Sequence, residues 1–215
     1  MDLSNSQRVM LVGKHLLTGP TDIPRYVRWS LINLWFRKQV PVDLEVPWLS
    51  WAAIDFLKSF VSERMHVFEY GTGGSTLFFA RRCRLVVSVE DDQNWFNLVS
   101  DRLALNGITN VRIHLRPFDF RNPNNFARSA YLNAIGEETY DVILIDGQDW
   151  SYNERPACFK RAEQNIARDG IIVVDDSWRP TYRALRNKKS AKRVRVFEGT
   201  GPCRLGVTST DIYFY

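Results

Sequence analysis

The 215 residues carry a formal charge of +5, with hydrophobic residues at 45% and charged residues at 25%. That length suits one domain with an appended segment, and the composition excludes a disordered, collagen-like or disulfide-scaffold chain. Eight basic residues with no acid among them, Arg179, Arg183, Arg186, Lys188, Lys189, Lys192, Arg193 and Arg195, supply more than the whole excess. The remainder is net acidic, so the basic balance is one local patch: a solvated helix and connection, or a contact for an anionic partner or acidic membrane surface. Cys83, Cys158 and Cys203 are odd in number and widely spaced, which points to reduced thiols and a cytoplasmic protein. The best N-terminal apolar run, Val9 to Val12, is too short for a signal peptide, and no stretch reaches the ~18 apolar residues of a membrane span.

Residues 1–64 read as a helical, aromatic-rich extension broken by Pro24, Pro41 and Pro47. Trp29, Trp35, Trp48 and Trp51 put four of the seven tryptophans there. Ser50 is a candidate cap for a helix through Trp51, Ile54, Phe56, Leu57 and Phe60, whose spacing makes one apolar stripe. The aromatic and basic stretch from Arg25 to Lys38 suits packing on the core, a ligand lid or a subunit interface of a homodimer better than a lipid surface, because its apolar residues do not keep to one face.

Residues 65–215 alternate short apolar runs with helical ones, the pattern of a parallel sheet with crossover helices. Strands are predicted at His66–Tyr70, Leu85–Val89, Val111–Leu115, Tyr140–Ile145 and Ile171–Val174. Helices are predicted at Ser75–Arg82, Asp91–Asn106 with Gly107 as its stop, part of Asn124–Ile135, Arg155–Ala167 and Pro180–Asn187. A terminal antiparallel hairpin is predicted from Val194–Phe197 and the run that reaches Tyr215.

The most informative segment is His66-Val-Phe-Glu-Tyr-Gly-Thr-Gly-Gly-Ser-Thr76. An apolar strand ends in an acid and a glycine turn that opens a helix, and Gly71 and Gly73 let backbone approach a ligand. The second strand ends in Val89-Glu90-Asp91, where a carboxylate would meet a ribose diol, although Glu90 would equally cap the next helix.

Together these residues resemble the class I S-adenosylmethionine (SAM)-dependent methyltransferases, over roughly residues 48–215. The resemblance implies an α/β fold: a doubly wound, mostly parallel, seven-stranded Rossmann-like sheet with a C-terminal antiparallel hairpin. It implies cofactor contacts from Glu69, Gly71, Thr72, Gly73, Ser75, Glu90, Asp119, which follows Phe118 after the third strand, and Asp146 at the end of the fourth. The combination with Ile145-Asp146-Gly147 and Asp175-Asp176-Ser177 is similar to a group of bacterial methyltransferase-like proteins. A narrower likeness to catechol-type, metal-dependent O-methyltransferases implies that Asp146, Asp175 and Asp176 hold Mg2+. The alternative is that Asp175 and Asp176 cap the next helix and hold Arg179. That family's lysine base is absent here, leaving Asp146, Asp149 or a metal-activated hydroxyl as candidates for catalysis. Trp150, Tyr152, Trp178 and Arg179, on the loops after the fourth and fifth strands, are expected to bind the substrate, with Trp48 and Trp51 closing from the other side. His15, His66 and His114 are scattered and show no ligand spacing.

The expected activity is methyl transfer to a small-molecule hydroxyl, of a sugar or natural product. Alternatives are an RNA or protein substrate, suggested by the basic segment, and a non-catalytic SAM-binding module. A nicotinamide oxidoreductase comes last, because its glycine pattern needs Gly or Ala where Thr76 stands.

Overall fold

Short β-branched runs whose side chains alternate between two covered faces build the centre of the sheet, while the edge strands are more exposed. The computed structural model describes residues 12–14, 23–28, 41–187, 190–202 and 206–215. The expectations for Trp29, Trp35, His15, Lys188, Lys189 and Cys203 lie outside the described residues.

The elements run α1 (Pro41–Leu44), α2 (Trp51–Phe60), β1 (His66–Tyr70), α3 (Gly74–Ala80), β2 (Leu85–Glu90), α4 (Gln93–Leu105), β3 (Val111–Leu115), β4 (Tyr140–Ile145), α5 (Glu154–Ala162), β5 (Ile166–Val174), α6 (Pro180–Arg183), β6 (Arg193–Thr200) and β7 (Val207–Phe214). Strand order is β3-β2-β1-β4-β5-β7-β6. The first five strands are mutually parallel, while β7 runs antiparallel to both β5 and β6. This is the seven-stranded, hairpin-terminated sheet expected from the sequence. The strand order reverses between β1 and β4, which opens a crevice at their carboxyl ends.

On one face Phe68, Val87, Val89, Ile143, Ile145, Ile172 and Val174 pack with Phe159 of α5 and with Phe120, Phe126 and Tyr131 from the β3–β4 connection. On the other, Val67, Val86, Val142, Leu144, Ile171 and Val173 pack with Leu49, Ala53, Ile54 and Leu57 around α2 and Phe78 and Phe79 of α3. Each fully buried aliphatic or aromatic side chain stabilises the fold by roughly 1.5–3 kcal/mol. Ser50 caps α2 by accepting from the Ala53 amide at 3.4 Å. Residues 23–28 are helical, and Arg25 lies 5.5 Å from the Trp51 ring centroid and pairs with Asp55.

Three expectations need correction. The Asn124–Ile135 region forms two short 3-10 turns, Pro123–Arg128 and Leu132–Ile135, because Ser129 interrupts the run by accepting from the Leu132 amide at 3.0 Å. The helix predicted to reach Ala167 stops at Ala162, and β5 begins at Ile166. There the Asn165 side-chain amide donates to the Gly136 and Glu138 carbonyls at 3.1 and 2.7 Å. That ties the chain back to β4, where Ile166 pairs with Tyr140 before a register shift. The helix after β5 is likewise a short α6 followed by a 3-10 turn, Ala184–Asn187.

The described residues of the basic segment are mostly exposed, although several have partners within the chain. Arg186 makes a two-pronged pair with the buried Asp211, at 2.6 and 2.9 Å. Lys192 pairs with Asp169 at 3.0 Å, and Arg193 and Arg195 lie over the rings of Phe214, Phe56 and Phe197. No helix among the described residues is long and apolar enough to cross a membrane.

Candidate cofactor and substrate cleft

The turns after β1, β2, β4 and β5 meet at the carboxyl end of the sheet around a cleft of about 830 Å³. Two glycines make the meeting physically achievable. Gly71 has φ +95°, and a Cβ there would stand 2.9 Å from the Gly147 Cα. Gly147, after β4, has no room for a Cβ either, since the Tyr131 hydroxyl would lie 2.0 Å away. Gly73 differs: a Cβ would meet only the Trp95 ring, at 3.9 Å, so the backbone there stands open beside the cleft.

Glu90 organises this end of the cleft. One carboxylate oxygen accepts from the Thr72 amide at 3.0 Å and the Thr72 hydroxyl at 2.7 Å. The other accepts from the Asp91 and Asp92 amides at 2.9 and 3.0 Å. Two charge-assisted bonds from Thr72 therefore lock the β1 turn to Glu90, and two from Asp91 and Asp92 fix that carboxylate within the β2 turn, while Glu90 also lines the cleft. Asp92 caps α4 by accepting from the Trp95 amide at 2.7 Å. The Trp95 indole donates to the Thr72 carbonyl at 2.7 Å. Thr76, the residue that departs from the nicotinamide pattern, accepts from the Gly73 amide at 3.0 Å. Its hydroxyl has a structural task that Gly or Ala would not perform.

Glu69 occupies a different place from the one expected. It is fully buried between the sheet and the first turn of α3, takes a hydrogen bond from Ser88 at 2.8 Å and does not line the cleft. Burial pushes its carboxyl up to about 7, against the opposing hydroxyls of Ser75, Thr76 and Ser88. Asp91, by contrast, does line the cleft. Burial and the neighbouring Glu90 carboxylate raise it to about 7.

Of the other expected contacts, Gly71, Thr72, Gly73, Ser75, Asp146, Asp149, Asp175, Asp176 and Arg179 line the cleft, together with Trp48. Asp119 does not. It is exposed and caps its own turn by accepting from the Arg121 amide at 3.0 Å. Trp150, Tyr152 and Trp178 are exposed at 59%, 50% and 42% and stand outside the lining. Tyr152 and Trp178 flank Arg179, whose guanidinium carbon is 4.7 and 5.6 Å from their ring centroids, and the buried Tyr182 adds a third ring at 5.5 Å. Trp150 is met instead by Arg121, at 5.9 Å.

The three carboxylates of the expected metal trio each have partners within the chain. Asp146 pairs with Arg155 at 3.1 Å. Asp175, 1% exposed, accepts from the Thr210 hydroxyl at 2.8 Å. Asp176, in a left-handed turn at φ +54°, pairs with Arg179 at 3.1 Å and accepts from the Trp178 indole and Thr208 hydroxyl, both at 3.2 Å. No group of three potential ligands among the described residues is arranged to hold a metal ion. These donors do not fit Mg2+, because two arginines and two threonines satisfy the charges and lone pairs that an ion would use.

Asp149 accepts from the Arg155 amide at 3.1 Å and from the Tyr182 hydroxyl. Burial alone would raise its pKa, but hydrogen bonds from Glu154, Tyr182 and the Arg155 amide outweigh it and hold the carboxyl below its usual range. The facing Glu154 is raised by burial and by Asp149. Asp149 is thereby a strongly held anion and a weak proton acceptor.

Sequence reasoning passed over Asp91, Trp95 and Arg155. Arg155 had a legible signal: a cation in the first turn of a helix opposes the helix dipole and calls for compensating acids.

A parallel sheet with a Gly-rich β1 turn, an acid ending β2 and an antiparallel β7 inserted beside β5 defines the class I SAM-dependent methyltransferase fold. Comparison with solved structures agrees. Cofactor-bound Rv0187 from MTB superposes with a TM-score of 0.62 at 16% identity, covering 87% of this chain and 95% of that one. The O-methyltransferase TomG from Streptomyces achromogenes, in complex with SAM, gives 0.58 at 14% identity over 88% and 97%. An rRNA methylase from Streptococcus thermophilus gives 0.57 at 12% over 82% and 97%. At these identities the likeness is one of fold. No family model and no curated protein matches the sequence.

Proposed function

We propose that the protein is a SAM-dependent methyltransferase acting on a hydroxyl of a small molecule such as a sugar or natural product. The observation that carries this reading is the Gly71–Gly73 turn, tied by Glu90 to the β2 turn, at the rim of a cleft whose acids suit a cationic ligand. The residues fit the cofactor: Gly73 leaves backbone open beside the cleft, and Glu90 and Asp91 stand where a ribose diol would be held. When bound, SAM supplies a methyl group on a cationic sulfonium, so the protein's task is in-line positioning of the acceptor. Asp146, with a side chain 26% exposed and its charge balanced by Arg155, is assigned the orientation of the acceptor hydroxyl. Asp149 holds Tyr182 and the start of α5. Arg179, which lines the cleft and is backed by the rings of Tyr152, Trp178 and Tyr182, offers the acceptor a cationic contact.

Two observations favour a small acceptor over RNA. Seven acids, Glu90, Asp91, Asp92, Asp146, Asp149, Asp175 and Asp176, line the cleft against the two arginines Arg155 and Arg179, which repels phosphate. Within the basic segment, Arg186 is committed to the buried Asp211 and Arg179 to Asp176. The rRNA methylase similarity concerns the shared fold.

The test is calorimetric titration and thermal shift with SAM, S-adenosylhomocysteine and NAD. Saturation near a hundredfold over the dissociation constant should add ~2.7 kcal/mol of stability. A response to NAD and to neither SAM compound would overturn the reading. Methyl transfer from labelled SAM into a hydroxyl library identifies the acceptor, and salt-dependent retention of RNA would instead favour the polyanion alternative.

A further inference from the structure

We propose that the guanidinium of Arg155 is the resident cation of the acid cluster at the ends of β4 and β5, organising these two turns in place of a divalent metal ion. Every group around it supports the assignment. The Arg155 Nη2 stands 3.1 Å from the Asp146 carboxylate. Its Nε donates to the Gly147 carbonyl at 2.8 Å, Nη1 to the Asp175 carbonyl at 3.2 Å and Nη2 to the Asp146 carbonyl at 3.2 Å. One planar fork thus binds the backbone after β4 and after β5 together with the first acid of the cluster. A spherical ion would bind through carboxylate oxygens, whereas this cation binds mainly through three carbonyls. That leaves the Asp175 carboxylate to Thr210 and the Asp176 carboxylate to Arg179.

The placement is costly unless the acids compensate it. Arg155 is only 8% exposed and sits in the first turn of α5, where the helix dipole disfavours a positive charge. Burial acts to lower its pKa, but the attraction of Asp146, Tyr182, Asp176 and Asp175 outweighs it and raises the group further. Arginine suits the position better than lysine because its fixed fork reaches both turns at once. The cleft walls at the acceptor end are therefore set by the chain itself and require no metal.

The inference concerns the same cleft as the proposed function, but its test leaves SAM out, so the two fail separately. Mn2+ is titrated into the full chain and the free ion followed by electron paramagnetic resonance. Wild-type protein is expected to leave the free-ion signal unchanged; stoichiometric Mn2+ binding would overturn the proposal. Arg155→Gln is expected to melt roughly 10 °C lower and to recover part of that loss in millimolar Mn2+ but not in NaCl of equal ionic strength. A purely packing role would give no such metal-selective recovery. Arg155→Lys, which keeps the charge and loses the fork, should fall between, and it carries the melting comparison if Arg155→Gln does not fold. An Arg155→Gln chain that melts with the wild type, or that Mn2+ stabilises no more than the wild type, would also overturn the assignment.

Discussion

Substituting Gly71 by alanine should damage the fold, while the same change two residues later should damage the ligand site. At Gly71 an L-residue must adopt φ +95°, which costs about 1–2 kcal/mol. Its Cβ would then lie 2.9 Å from the Gly147 Cα and 3.0 Å from the Gly147 N. Both are backbone atoms that cannot swing aside, so either the β1 turn or the β4 turn must move, at about 1–3 kcal/mol. The combined loss is about 3 kcal/mol, and in a chain of this size it lowers the melting temperature by roughly 6–12 °C. At Gly73 φ is 163°, an extended backbone open to any residue, and the new methyl meets only the Trp95 ring at 3.9 Å. Gly73→Ala should therefore melt within about 2 °C of the wild type while binding SAM more weakly, because its methyl stands beside the ligand's path. Circular-dichroism melting and calorimetric titration of the two variants side by side decide the matter. If Gly71→Ala melts with the wild type, or Gly73→Ala falls as far, the crossing-turn account is wrong.

Glu90→Ala removes the acceptor of four hydrogen bonds and strands the amides of Thr72, Asp91 and Asp92. A loss of about 1–3 kcal/mol should lower SAM affinity roughly tenfold or more, and unaltered affinity by calorimetry would refute the lock between the β1 and β2 turns. Glu69 gives a pH signature. Its carboxyl rises from 4.5 to about 7 on folding, so the native chain binds the proton more tightly. The associated stability is complete below pH ~4.5 and lost as pH climbs through 7, a change of up to ~3 kcal/mol. Asp91 acts in the same direction. Wild-type melting temperature should fall between pH 5 and 8, and Glu69→Gln should flatten the slope; parallel profiles would rule Glu69 out as the source.

The centre of the sheet was legible because β1, β2, β4 and the second half of β5 are almost wholly buried and keep one texture: Phe68, Val87, Ile143 and Ile172 needed only their apolar runs to be found. The β5 boundary was not. Asp169 at φ +63° and Gly170 look like a turn, and only the pairing of Ile166 with Tyr140 carries the strand past them. Within the cleft, the residues at strand ends were readable from order along the chain, as Gly71, Glu90 and Asp146 show. Orientation was not readable. Glu69 and Glu90 each stand at or near a strand end, yet parity along β1 sends one beneath α3 while the other, closing β2, turns to the cleft. The partners of the acids were hidden for a further reason. Thr208 and Thr210 approach from β7, 32 and 35 residues away from Asp176 and Asp175, and such distant pairings leave no local mark.

The placement of β7 bears on how the chain is assembled. Residues 207–214 lie between β5 and β6 and supply the hydroxyl that holds Asp175. During synthesis, β5 therefore presents a bare, strongly apolar edge until residue 214 is available, because β6 cannot reach it without β7. Such an edge invites pairing with other chains. The interval between the making of Val174 and the arrival of Phe214 is when a nascent chain of this protein is most exposed to aggregation, and when a chaperone that shields strand edges would matter most.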